Sequence, residues 1–155
     1  MTPIADGTMQ ILRMVHVLAA ILFVGNVIVT GVWSALLFQS RGTLDFRHAA
    51  RAIVITDWAF TLGGAMLLVG SGVALSIGRG YPMWGTPWIR NAMIGLGLST
   101  TIWLVVLVPA QRRMRRLGPD DDAQLVRTYQ LWNVTGWLAA VPLLWSLWNM
   151  VNKPS

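Results

Sequence analysis

Four apolar runs, residues 9–38, 52–77, 91–110 and 131–151, constrain this chain more than any other feature. Crossing a hydrocarbon core of about 30 Å takes about 20 helical residues. Lipid offers the backbone no hydrogen-bond partners, so each run is predicted as a helix. The expected fold is all-α: a single domain over residues 1–155, built as an integral membrane four-helix bundle, up-down-up-down, with both termini on the outer side. Composition agrees, since 55% of the residues are hydrophobic and 12% charged, against about a quarter charged in soluble domains. The first run outlasts a signal-peptide core of about 7 to 15 residues, and no small-residue cleavage site follows it. It is therefore expected to be a retained helix. At about 1.5 Å per residue it reaches about 45 Å, so it must tilt, bend or continue beyond the bilayer, with Gly25-Asn26 as the natural bend.

The connections read as short turns. SRGTLDFRHAAR and QRRMRRLGPDDDAQLVR carry most of the charge, and GRGYPMWGTPW is rich in Gly and Pro. Gly118-Pro119 is a helix stop, and Asp120 to Asp122 can cap the helix that follows. The net charge is +6, but the basic residues sit at the ends of apolar runs rather than along one face, which points to membrane edges and not to nucleic acid. Connections one and three hold Arg41, Arg47, Arg51, Arg112, Arg113, Arg115, Arg116 and Arg127, against Arg13, Arg79, Arg90 and Lys153 on the other side. Eight against four places those two connections in the cytoplasm. The chain has no cysteine, which excludes disulfides, thiolate metal sites and covalently attached c-type haem.

Ionisable groups inside a span are costly and are functional candidates by default. Two stand out, His16 and Asp57. His16 lies about 8 to 10 Å below the outer surface and Asp57 about 9 Å in from the cytoplasmic edge, so they are expected in opposite leaflets and not as one catalytic pair. A buried carboxylate seeks a cation, and Arg51 behind it or Arg112 and Arg113 at the inner end of the third span are expected within reach. Asp57 is thus expected in a structural ion pair, with a proton relay as the other reading. For His16, Ala19 and Ala20 leave room beside the ring for a flat ligand or a close-packed helix. The outer depth also holds Met14, Met93 and Asn91. Imidazole with thioethers suits copper(I), and imidazole in a dry pocket suits haem iron. The plainer reading is a neutral histidine bonded to an asparagine, with methionines as filler. His48, in the charged connection, is expected to be solvated. Gly72 with Ser76 and Gly95 with Ser99 form small-xxx-small pairs suited to helix contact. Pro109 is expected to end the third span and Pro142 to bend the fourth.

In order, HVLAAILFVGN, TDWAFT with a downstream GSGVAL, WLVVLVPAQRRM and GWLAAVPLLWSLWNMVNKP resemble the bacterial four-span predicted integral membrane proteins grouped as DUF2269, a domain of unknown function. The resemblance covers nearly the whole chain. It implies a four-span architecture in the inner (plasma) membrane. That family is similar in turn to the copper-resistance D-like membrane superfamily, in which a first-helix histidine followed by a glycine-containing stretch recurs; His16 to Gly25 matches it. Haem b or copper at His16 is what the likeness implies. The chain departs from the pattern in having Phe23-Val24 where a tryptophan often precedes the glycine, and in lacking further intramembrane histidines.

Three classes of function follow. One is a structural bundle, associated with lipid and with itself or a larger membrane complex. Another is a haem- or copper-binding redox or metal-handling protein using His16, with Met14 and Met93 as further ligand candidates. The third is a transporter, which four spans with one intramembrane carboxylate and no repeat could form only as an oligomer. No catalytic constellation is evident, and the GSG at Gly70 to Gly72 lies inside a span, where a phosphate loop cannot operate.

Overall fold

The computed structural model describes residues 6–41, 46–117 and 121–154, with the side chains of 46–50 outside the description. The elements run α1 (Asp6–Gln39), α2 (Phe46–Thr56), a wide π-helical turn (Asp57–Leu62), α3 (Gly63–Gly78), α4 (Pro87–Ile102), a second wide turn (Trp103–Leu107), α5 (Val108–Met114) and α6 (Asp122–Asn152). These join into four long apolar helices: Asp6–Gln39, Arg51–Gly78, Pro87–Met114 and Asp122–Asn152. The first span packs on the second and fourth, and the third packs on the fourth.

The bundle has an apolar outer surface and, beside its apolar core, an unusual number of buried polar groups for a soluble protein. Thr30, Ser34, Asp57, Thr61, Ser71, Ser76, Ser99, Gln111, Thr128 and Asn149 are buried, whereas Met66, Val105 and Val151 are each about two-thirds or more exposed. Water would reject that arrangement; lipid favours it, because the aliphatic surface dissolves in the acyl chains and polar groups must find partners inside. Several hydroxyls do so within their own helix. Ser71 donates to the Leu67 carbonyl at 2.6 Å, Thr128 to Gln124 at 2.8 Å and Thr101 to Gly97 at 2.8 Å.

Small residues set the distances between helices. An added Cβ at Gly64 would lie 3.2 Å from Phe23 Cβ, and one at Gly31 would lie 3.0 Å from the Trp137 ring. At Gly95 it would run into Ser146 Oγ and the Pro142 carbonyl. The third and fourth spans pack closely here, and Ser146 Oγ–H is shared between the Ala92 carbonyl at 2.9 Å and its own Pro142 carbonyl at 2.8 Å.

The ends are closed by specific devices. Gly80, at φ +68°, lets the chain leave α3 while Ser76 Oγ caps the Tyr81 carbonyl at 2.8 Å. Pro87 opens α4, where a missing N–H costs nothing. At the arginine-rich end, Phe38 stacks on Tyr129 with centroids 3.8 Å apart, Arg41 covers Phe38, and Arg41 pairs with Asp122 at 3.4 Å. Of the residues expected to cap the fourth helix, Asp120 and the Gly118-Pro119 stop lie outside the described residues.

One sequence expectation, the end of the third span, is corrected. Pro109 does not end the third span, which continues to Met114. Proline lacks an N–H and crowds the carbonyl one turn back, and the turn before it, Trp103–Leu107, is the one that has widened to take it. The first span carries one unbroken helix through Gly25-Asn26. The fourth helix, α6, runs from Asp122, one of the residues expected at its start, through Pro142 to Asn152.

Candidate functional site

Each wide turn holds one more residue than an α-turn, which rotates everything beyond it by about 100°. In the second span the widened turn starts at Asp57 itself; in the third it precedes Gln111. The rotation points both side chains inward, and they are buried to 6% and 3% exposure. Gln111 Nε2 donates to Asp57 Oδ2 at 2.5 Å. Asn26 Nδ2, from the first span, donates to Asp57 Oδ1 at 3.3 Å and to Thr61 Oγ1 at 3.1 Å, and Thr61 Oγ1 donates to Asp57 Oδ1 at 3.4 Å. One carboxyl group therefore ties three spans together.

Among the described residues, no cation pairs with Asp57. Its partners there are amides and a hydroxyl, and Arg41 pairs instead with Asp122. Arg112 and Arg113 flank Gln111 in the same helix turn, and both are exposed. The rotation that turns Gln111 inward turns them out. The Trp103 indole N–H also faces the carboxyl, without a hydrogen bond of regular geometry, and packs edge-on against Trp58 at 5.6 Å. Beside the carboxyl lies a cavity of about 80 Å³, lined by residues of all four spans.

His16 belongs to a separate network. Its Nδ1 lies 2.9 Å from the Leu68 carbonyl oxygen and 3.1 Å from Ser71 Oγ. A carbonyl only accepts, so Nδ1 carries the proton and Nε2 of the neutral ring carries the lone pair. The ring fills the space over Gly72, where an added Cβ would lie 2.9 Å from Cε1. Ala19 is fully buried, so the room left by small residues here is taken by the second helix. The asparagine expected as partner is engaged elsewhere: Asn91 Nδ2 donates to Asn149 Oδ1 at 3.1 Å, linking the third and fourth spans.

The ligand candidates do not converge around the imidazole. Met14 is 63% exposed on the outer surface of the bundle, two residues from His16 and so on a different helix face. Met93 lies one residue from buried Ala92 on the third span, half-buried. Among the described residues no three His, Asp or Glu side chains gather as a metal site. The side chain of His48 lies outside the described residues.

Asn26, Thr61, Gln111 and Trp103 were missed by sequence reasoning as site residues. Asn26 stood as a bend and Gln111 as the start of a polar connection. A polar amide inside or at the end of an apolar run was the available signal; the two wide turns that aim Asp57 and Gln111 at each other had none.

An apolar outer surface, four helices long and apolar enough to span a membrane, and polar groups paired between helices define an integral membrane protein. The chain belongs to the family of predicted integral membrane proteins DUF2269, whose model matches residues 10–154. No curated protein and no solved structure matches it.

Proposed function

We propose that the chain is a non-catalytic structural bundle of the inner membrane, in contact with lipid and associating with itself or with a larger membrane complex. The observation that carries this reading is the fate of the intramembrane polar groups. His16 bonds the first span to the second, Asp57 bonds the first, second and third, and Asn91 bonds the third to the fourth. Each acts as a brace. Support for association comes from Gly63, Gly70 and Gly97, where an added Cβ meets nothing within 4 Å. Such positions on a lipid-facing surface let another backbone approach. The arginine asymmetry supports connections one and three in the cytoplasm.

One observation favours a second reading, haem or copper at His16. The Nδ1–H bond to the Leu68 carbonyl holds the tautomer in which Nε2 can donate a lone pair to a metal. The two readings separate on purified, detergent-solubilised protein. A brace predicts that His16→Ala lowers thermal stability and leaves the absorption spectrum and metal content unchanged. A ligand predicts a Soret band or stoichiometric copper that His16→Ala removes.

A further inference from the structure

The bracing network gives both oxygens of Asp57 partners but does not meet its charge. A carboxylate in hydrocarbon is stable only if its charge is met, and every partner it has among the described residues is neutral. The cavity beside it is walled by Phe23, Trp103, Trp132 and Trp137, with Ser99 and Asn133 as polar lining. A carboxylate and several aromatic side chains lining one cavity are the chemistry that holds an organic ammonium ion, through charge and ring quadrupoles together. Among the described residues, no lysine or arginine lines that place. The cavity lies among all four spans at the level of Asp57, so the occupant is a solute small enough to enter the bundle and not a lipid headgroup at the rim.

We propose that the cavity bounded by Asp57, Trp103, Trp132 and Trp137 is a binding site for a small organic cation of the quaternary ammonium or alkylammonium class. This goes beyond the structural reading, because the braces persist whether or not the cavity is filled.

Two substitutions test it independently. Asp57→Asn removes the charge and keeps the shape; Gln111 can turn its amide so that Oε1, buried and unpartnered, accepts from the new amide. Gly136→Leu leaves the carboxyl untouched and fills the cavity from the fourth span, since Gly136 lines it and an added Cβ there meets nothing within 4 Å. Full-length protein in detergent is titrated calorimetrically with tetramethylammonium chloride, with sodium chloride at equal ionic strength as reference. The expected result is saturable binding at one site per chain, weakened about tenfold or more by each substitution. Absence of saturable binding by the folded wild-type protein overturns the proposal, as does unchanged binding in a folded Gly136→Leu variant. If Asp57→Asn fails to fold, Gly136→Leu alone carries the decision.

Discussion

Gly72 offers the sharpest test of the packing around His16. In Gly72→Ala the new methyl carbon would stand 2.9 Å from His16 Cε1 and 3.4 Å from Nδ1, too close for the ring to stay. The imidazole cannot simply swing aside, because Nδ1 is held by the Leu68 carbonyl at 2.9 Å and by Ser71 Oγ at 3.1 Å. The substitution therefore costs the interhelical hydrogen bond, roughly 0.6 to 2 kcal/mol in a membrane bundle. Replacing glycine by alanine within a helix returns up to about 1 kcal/mol of propensity, so the net loss is expected to be small in the wild-type background. The decisive quantity is the coupling in a double-mutant cycle. With His16→Ala already made, the clash has no partner and Gly72→Ala should stabilise. The assay is equilibrium unfolding in mixed detergent followed by circular dichroism, for the four proteins of the cycle. Equal effects of Gly72→Ala with and without the histidine would refute the contact and the brace it belongs to.

The other sites give coarser expectations. Gly95→Val drives a side chain into the Pro142 carbonyl and Ser146 Oγ, where backbone must move; loss of about 2 kcal/mol or more, or failure to accumulate in the membrane, is expected by the same unfolding assay and by immunoblot. Gln111→Leu deprives the Asp57 carboxyl of its shortest bond and should cost about 1 to 3 kcal/mol, whereas Asp57→Asn should fold close to wild type; the reverse order on thermal melts would contradict the network. Reporter fusions should show a tag placed after Lys153 on the outer side and a tag in the connection after Arg116 in the cytoplasm, and exchanging the two locations would reverse the assigned topology.

How much of this was legible beforehand depends on the length scale. The four helices follow from hydropathy alone, because a run of apolar residues in lipid has no alternative to helix. Gly72 and Gly95 were readable as contact positions, since small residues four apart from Ser76 and Ser99 allow close approach. What they approach was not readable: Gly72 meets an imidazole and Gly95 a backbone carbonyl beside a proline. Asp57 was visible as an anomaly, yet its partner was assigned to Arg51 or to Arg112 and Arg113, the latter two in the same helix turn as one of the true donors, Gln111. Helical periodicity assumes 3.6 residues per turn throughout, and two wide turns break that assumption at the level of the carboxyl. Pro109 hints at the second of them; the first, over Asp57–Leu62, has no comparable mark.

The structural reading of the intramembrane histidine meets its most direct test in the visible absorption spectrum and metal content of the purified protein, made with haem and copper supplied during expression. A brace predicts a colourless protein without stoichiometric metal, identical in His16→Ala apart from a lower melting temperature. A Soret band or one copper per chain that disappears in His16→Ala would contradict it.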